Sequence, residues 1–177
     1  MARTLDNLFH YLDSLGDRAP LADLLRHLDE LEIDCHEVAS YIRFSRRGYT
    51  RNLVRGGAWY NVLVLCWANG QRSPIHDHQG SSCGVRVLRG TATETLFEFA
   101  PNRHVKALFS RDLTPGSVCG SQDDDIHQVS NLQPGDVDLV TLHVYSPPLL
   151  HMGTYSLTDL TRGTEPMFLE FSDAAGI

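Results

Sequence analysis

The chain has 177 residues, 42% apolar and 21% charged, and this balance excludes disordered, collagen-like and coiled-coil proteins. A net charge of −7 and the lack of any basic run longer than two residues argue against a nucleic-acid or membrane-surface partner. No apolar stretch approaches the roughly 20 residues of a membrane-spanning helix. The four cysteines have no C-x-x-C spacing, which indicates reduced thiols and a cytoplasmic protein.

Apolar residues at three- and four-residue spacing predict two helices near the start of the chain, over residues 5–15 and 21–33. Pro20 precedes the second helix and suits a first helical position. A shorter helical piece is expected over residues 36–44. We expect these helices to form an N-terminal cap, residues 1–45, that packs on the remainder of the chain.

From Tyr49 onward the apolar pattern has a period of two, which is typical of strands. Six short segments rich in β-branched and aromatic residues are separated by turn sequences: YNVLVLCW (60–67), CGVRVLRG (83–90), TATETLFEF (91–99), HVKALF (104–109), VDLVTLHVY (137–145) and PMFLEF (166–171). Such spacing indicates a closed antiparallel barrel or sandwich. We therefore predict a mostly β protein whose barrel, residues 46–177, packs with the cap as one structural domain.

The tripeptide His76-Asp77-His78 follows a turn sequence and precedes a strand-like segment. In an extended chain, residues i and i+2 point to the same face, so both imidazoles converge while Asp77 points away. Two converging imidazoles are suited to a first-row metal ion. On these residues alone, a chance pair of surface histidines remains the alternative.

The spacing around this tripeptide resembles the first metal motif of the cupin superfamily, G-x5-H-x-H-x3,4-E-x6-G. Gly70 lies six residues before His76, and Gly90 ends the motif. Cys83 stands where the motif usually has a glutamate ligand. This resemblance implies a cupin-type antiparallel β-barrel, the jelly roll.

The second cupin motif is present in part. His127 and Asn131 supply its H-x3-N, and Gly116 stands at its leading glycine. Gln122 and Asp124 replace the proline and glycine expected between them. The two motifs occur in the right order on a strand-rich chain, which together favours the cupin interpretation.

With cysteine in place of the glutamate, three neutral imidazoles become the expected metal ligands: His76, His78 and His127. Such a site leaves coordination positions open for a substrate and for oxygen. The alternative is that Cys83 acts as a fourth ligand and closes a zinc-like site.

Six landmarks in order resemble cysteine dioxygenase, the thiol dioxygenase branch of the cupins: YTRNLV (49–54), LCW (65–67), IHDHQGSSC (75–83), ETLFEF (94–99), IHQVSN (126–131) and LHVYSPP (142–148). Members of this family oxidise L-cysteine with O2 to L-cysteine sulfinic acid at a mononuclear Fe(II) held by three histidines. The resemblance implies Fe(II) on the three histidines named above. It also implies L-cysteine and O2 as small-molecule partners, and a monomer.

The resemblance also implies roles for other residues. Arg51, with Tyr49 beside it, matches the arginine that holds the substrate carboxylate, and a guanidinium pairs bidentately with such a group. Tyr145 matches the catalytic tyrosine, with Thr141 and His143 on the same strand face. The alternatives are a strand-edge arginine in a salt bridge and a barrel strand whose polar groups satisfy one another.

Cys83 matches the position at which many members form a thioether bond to the ring of the tyrosine, here Tyr145. Many bacterial members have glycine at this position and no such bond, whereas in this chain a glycine comes one residue later, at Gly84. The resemblance therefore implies a thioether, with a buried free thiol as the alternative. Ser146-Pro147 matches a cis peptide bond of the family.

Three other functions remain open at this point. The nearest is a dioxygenase of 3-mercaptopropionate or another small thiol, although members with that preference usually have glutamine where Arg51 stands. The second is a zinc or manganese cupin isomerase or hydrolase, which consumes no oxygen. The third is a cupin without enzymatic activity that binds a small ligand or senses a metal or a thiol.

Overall fold

The fold is described from a computed structural model covering residues 4–123, 125–167 and 169–171. Asp124 and Phe168, which belong to predicted segments, lie outside the described residues. The helices are α1 (Leu5–Asp13), α2 (Leu21–Asp29) and a short 3-10 helix (Ala39–Tyr41). None of the helices in the described part of the chain is long and apolar enough to span a bilayer. The strands are β1 (Thr50–Gly57), β2 (Tyr60–Trp67), β3 (Ile75–His76), β4 (Ser82–Arg89), β5 (Ala92–Phe99), β6 (Val105–Leu113), β7 (Val118–Gln122), β8 (Ile126–Ser130), β9 (Leu139–Ser146), β10 (His151–Tyr155), β11 (Gly163–Pro166) and β12 (Glu170–Phe171).

The strands form two six-stranded sheets. The first has the order β12-β1-β2-β9-β4-β7 and the second has the order β11-β10-β3-β8-β5-β6. Each named strand pair is antiparallel except β1 with β12, which is parallel. Side chains from both sheets share one buried core. The mostly β, antiparallel barrel predicted from the sequence is confirmed.

Strand β2 shows why the first sheet is buried on both faces. Leu63 and Leu65 belong to the core between the sheets, whereas Val62 and Val64 belong to a second core that includes Leu24 and other leucines of the helices. All eight residues of β2 are buried. The helices therefore cover the outer face of this sheet, as expected for an N-terminal cap.

Helix α2 approaches the sheet closely because glycines lie beneath it. A methyl group at Gly84 would lie 2.5 Å from Cδ1 of Leu28, and one at Gly120 would lie 2.7 Å from Cδ2 of Leu25. Any larger residue at these positions would push the helix away from β4 and β7. The glycine at position 84 thus serves the packing of the cap.

The helical predictions were too long. Helix α2 ends at Asp29 and is capped by Glu30, whose N–H donates to the carbonyl of Arg26. Leu31 is only 1% exposed, so it reaches the core from the turn that follows and produced the longer apolar pattern. Residues 36–44 contain only the single 3-10 turn.

The predicted last strand, residues 166–171, was wrong as one continuous element. Strand β11 pairs with β10 and ends at Pro166, whereas β12 covers two residues and pairs with β1 in the other sheet. The N–H of Met167 still donates to the carbonyl of Leu150 beside β10, whereas Glu170 pairs with β1, so the two ends of the segment belong to different sheets.

Candidate metal and substrate site

Three buried histidines converge between the sheets. His76 ends β3 and pairs in register with His127 on the neighbouring β8, while His78 follows two residues after His76. One ligand atom from each imidazole lies within 4.8 Å of the other two. The Nε2 atoms of His76 and His127 are 3.3 Å apart. The structure thus brings together the three residues that the sequence indicated.

The hydrogen bonds around these imidazoles fit a metal ion. Nδ1 of His76 lies 3.0 Å from the carbonyl oxygen of Pro74, and Nδ1 of His127 lies 3.0 Å from a carboxylate oxygen of Glu94. Because both oxygens accept, each Nδ1 carries the proton and the two Nε2 lone pairs face each other. Neither nitrogen of His78 has a hydrogen-bond partner among the described residues. A first-row divalent cation would take one nitrogen lone pair from each of the three imidazoles.

Burial also keeps two of these imidazoles, those of His76 and His78, neutral. It lowers the pKa of His76 to about 3, and the neighbouring His127 acts in the same direction. The pKa of His78 is well below its usual value for the same reasons. Neutral imidazole is the form that binds metals, so His76 and His78 are in the ligating state at neutral pH.

Arg51 on β1 brings a buried guanidinium beside Tyr145. Its Nη1 donates to the phenol oxygen at 3.4 Å, and Cζ lies 5.0 Å from the centre of the ring. Tyr49 lies two residues before Arg51, and its ring stacks on Trp67 with centroids 4.2 Å apart. Nε of Arg51 has no hydrogen-bond partner in the described part of the chain. This buried donor is suited to one oxygen of a small carboxylate.

A groove of about 560 Å³ opens beside Arg51. Its walls combine apolar and charged side chains: Tyr49, Arg72, Pro74, Met152, Glu165 and Met167. A groove of this size admits a small ligand.

A hydrogen-bonded chain runs along β9 to the phenol of Tyr145. Nε1 of Trp67 donates to Oγ1 of Thr141 at 3.0 Å, Thr141 lies 2.9 Å from Nε2 of His143, and Nδ1 of His143 lies 3.2 Å from the phenol oxygen. Burial holds the pKa of His143 well below its usual value, so this imidazole is neutral. All four groups are satisfied when Thr141 donates to Nε2 and the Nδ1–H donates to the phenol oxygen. The phenol proton then points away from His143.

Cys83 lies on the inner face of β4, in register with Tyr145 on β9. Burial raises the pKa of the Cys83 thiol to about 12. Gly84 points to the opposite face, against α2. The Ser146–Pro147 peptide bond directly after the tyrosine is cis.

Glu94 is a site residue that sequence reasoning missed. Its side chain is fully buried and accepts hydrogen bonds from His127 and Arg111. Burial alone would raise the pKa of Glu94, but these hydrogen bonds bring it below its ordinary value. The signal in the sequence was a charged residue between Ala92 and Leu96, at an inward position of the strand pattern.

Asp77 points away from the imidazoles, as expected, but it is fully buried. Its carboxylate accepts from the backbone N–H of Gly153 at 2.9 Å, from the phenol of Tyr155 at 2.6 Å and from Arg162. A methyl group at Gly153 would lie 2.5 Å from Oδ2 of Asp77, so this position requires glycine. These contacts fix the segment that carries His76 and His78 against β10.

Solved structures show the same barrel. A Klebsiella pneumoniae protein with a double-stranded β-helix domain matches with a TM-score of 0.53 at 20% identity, covering 62% of this chain and 81% of that one. A Thermus thermophilus protein matches with a TM-score of 0.52 at 18% identity, covering 62% and 93%. At these identities the likeness concerns the fold alone, which is the cupin barrel.

The similarity in sequence includes the N-terminal helices as well as the barrel. Residues 2–158 match the family model of cysteine dioxygenase type I. The chain is 36% identical over 153 residues to cysteine dioxygenase type 1 of Homo sapiens, covering 82% of this chain and 76% of the relative. The Rattus norvegicus enzyme of the same name is 35% identical over 152 residues with the same coverage. From this match over most of its length, the chain belongs to the cysteine dioxygenase family.

Proposed function

We propose that this protein oxidises L-cysteine with O2 to L-cysteine sulfinic acid at Fe(II) held by His76, His78 and His127. The reaction is balanced as R–SH + O2 → R–SO2H. Sulfur loses four electrons and O2 gains them, so no external reductant is needed. Family membership supports a thiol dioxygenase. The observation that supports L-cysteine as the substrate is the buried guanidinium of Arg51, which lies beside Tyr145 and has an unpaired Nε.

The donor set supports a metal held by three imidazoles. The clustered ligand atoms come from His76, His78 and His127, and Cys83 does not belong to that cluster within the described residues. Cys83 instead lies opposite Tyr145 in the strand register, which favours three protein ligands over a closed zinc-like site. When bound, iron would supply the redox chemistry that joins O2 to the substrate thiolate.

The side chains around the cluster would orient the substrate. The guanidinium of Arg51 would hold the carboxylate of cysteine through Nε and an Nη atom, with Tyr49 forming part of the same groove. A small amino acid held at this end keeps its thiol and amine free to face the histidines. Apolar walls at Met152 and Met167 would limit the access of water.

Tyr145 would position a proton next to the reacting sulfur. Its phenol contacts Arg51, and its ring centroid lies 6.3 Å from that of His78. Burial raises the pKa of this phenol, so it keeps its proton at neutral pH. With its oxygen accepting from His143, the phenol can donate toward the substrate.

The nearest alternative is a dioxygenase of another small thiol, such as 3-mercaptopropionate. The test compares kcat/KM of the iron-loaded protein for L-cysteine, 3-mercaptopropionate and cysteamine, which lacks a carboxylate. We expect L-cysteine to be preferred over both. A preference for 3-mercaptopropionate would identify that thiol as the substrate instead of L-cysteine. A preference for cysteamine would contradict a role for Arg51 in binding the substrate carboxylate.

We also propose that the cap, residues 1–45, and the barrel, residues 46–177, fold as one structural domain in a cytoplasmic monomer. The linker between α1 and α2 supports this unity. The N–H of Ala19 donates to Oγ of Ser146, and Oγ of Ser82 donates to the carbonyl of Ala19, both at 2.9 Å. The acidic net charge supports small-molecule partners rather than a nucleic acid or a membrane surface.

A further inference from the structure

The three clustered histidines, His76, His78 and His127, form a triad. One of them has a charged side chain as its hydrogen-bond partner. Oε1 of Glu94 lies 3.0 Å from Nδ1 of His127. Oε2 of the same carboxylate accepts from Nε of Arg111 at 2.8 Å and forms an ion pair with Nη2 at 2.6 Å. The carboxylate therefore links His127 to Arg111 at the outer wall of the barrel.

The strand register explains how this link arises. Strand β5 lies between β8 and β6, so Glu94 has His127 near it on one side and is paired with Arg111 on the other. The Glu94 side chain is fully buried, whereas the Arg111 side chain is 44% exposed. A carboxylate without solvent is costly unless it is paired and hydrogen-bonded. Its hydrogen bond to the imidazole of His127 indicates a role at that imidazole.

The other two histidines lack such a partner. Nδ1 of His76 meets a neutral backbone carbonyl, that of Pro74. Neither nitrogen of His78 has a hydrogen-bond partner among the residues described. A carboxylate on Nδ1 fixes the tautomer and ring orientation of an imidazole and makes its other nitrogen a stronger donor to a metal. The three ligands are thus unequal.

We propose that Glu94 is a positioning residue that makes His127 the strongest metal donor of the triad, and that metal retention depends on this carboxylate. The inference rests on the proposed function only in requiring that the triad binds a divalent metal. Removing the charge of Glu94 should weaken metal binding by roughly 10- to 100-fold.

The test measures Co(II) binding to the folded protein by competition with a chelator, together with the visible absorption spectrum of the bound ion. The variant Glu94→Gln keeps the size of the side chain and removes its charge. We expect weaker binding, faster Co(II) release and a shifted spectrum. These readouts do not depend on turnover, and unfolding in denaturant shows separately whether the variant is folded.

Glu98→Gln is the matched control, because Glu98 lies on the same strand β5 and forms a cross-strand ion pair with Lys106 of β6, as Glu94 does with Arg111. It should keep Co(II) affinity within about threefold, well inside the 10- to 100-fold change expected for Glu94→Gln. Unchanged Co(II) binding in Glu94→Gln, or an equal loss in Glu98→Gln, would overturn the proposal. Failure of the unaltered protein to bind any divalent metal would instead contradict the proposed function.

A second measurement does not depend on a variant that folds. In the metal-free, unaltered protein, the long-range ¹H–¹⁵N spectrum should show His127 with its proton on Nδ1 and none on Nε2. The Nδ1–H resonance of His127, whose proton is donated to Glu94, should lie downfield of the Nδ1–H resonance of His76. A proton on Nε2 of His127 would overturn the proposal.

Discussion

Cys83 and Tyr145 lie directly opposite each other on β4 and β9, with both side chains buried between the sheets. The neighbouring register pair is Ser82 with Ser146, and both hydroxyls hydrogen-bond Ala19 in the linker between the helices. The cap therefore holds the two strands at the point where thiol and phenol meet. This arrangement supports the thioether that the family resemblance implies.

A first prediction concerns that thioether. Denatured metal-free protein should show four free thiols, the number present in the structure, and three after reaction with Fe(II), O2 and L-cysteine. The bond replaces the S–H of Cys83 and one ring C–H of Tyr145, with O2 as the oxidant, so mass spectrometry should show the loss of two hydrogen atoms. The Tyr145→Phe variant should retain four thiols throughout. An unchanged thiol count and mass after turnover would show that Cys83 remains free.

A second prediction concerns Arg51. Because two charged hydrogen bonds to a carboxylate are at stake, Arg51→Gln should lower kcat/KM for L-cysteine by roughly 10²- to 10⁴-fold. Arg51→Lys keeps the charge but loses the planar guanidinium. Its kcat/KM for L-cysteine should lie between those of the unaltered protein and Arg51→Gln. Steady-state kinetics check this result. Equal activity of Arg51→Gln and the unaltered protein would exclude a carboxylate contact.

A third prediction separates the phenol from the thioether. Tyr145→Phe removes both, whereas Cys83→Ser leaves the phenol in place. We expect Tyr145→Phe to lower kcat by roughly 10²-fold or more with little change in KM, as for loss of a positioned proton donor. The decrease in kcat should be much smaller for Cys83→Ser. Similar losses in the two variants would assign the effect to the thioether rather than to the phenol proton.

A fourth prediction concerns stability in acid. Burial depresses the pKa values of His76, His78 and His143 in the folded protein. Below the unfolded value of about 6.5 the unfolded chain binds more protons, so the stability present at higher pH is lost as pH falls toward 3. Each histidine should contribute roughly 1 kcal/mol per pH unit in this window.

Denaturant unfolding of the metal-free protein between pH 7.5 and 5 measures this slope. The His143→Gln variant should show a shallower dependence than the unaltered protein. His151→Gln, at an exposed position, is the matched control and should keep the original slope. A slope that is unaffected by His143→Gln would show that this imidazole is not buried in its neutral form.

The fold could be predicted to the level of its class because strands β2, β4, β5 and β9 have patterns that depend only on local sequence. The position of the helical cap could not be predicted from local sequence, because it depends on which face of the first sheet the helices cover. Gly84 in the sequence raised the question of whether glycine stands at the thioether position. The structure shows that it faces Leu28 of α2 instead, a contact between residues far apart along the chain.

The candidate site was predictable where spacing alone decides geometry, as for His76 and His78, or where residues alternate on one strand, as for Thr141 to Tyr145. Glu94 and Asp77 could not be predicted in this way. Their partners come from other strands, and each carboxylate is buried only because those strands meet around it. In both cases the register between strands determines the function of the residue.

The most direct test of the proposed function is oxygen uptake by the Fe(II)-loaded protein with L-cysteine under ¹⁸O2, followed by mass analysis of the product. We predict uptake of one O2 per cysteine consumed and a sulfinic acid that carries two ¹⁸O atoms. No uptake from protein shown to hold iron, or a product with one labelled oxygen, would contradict the assignment as a cysteine dioxygenase.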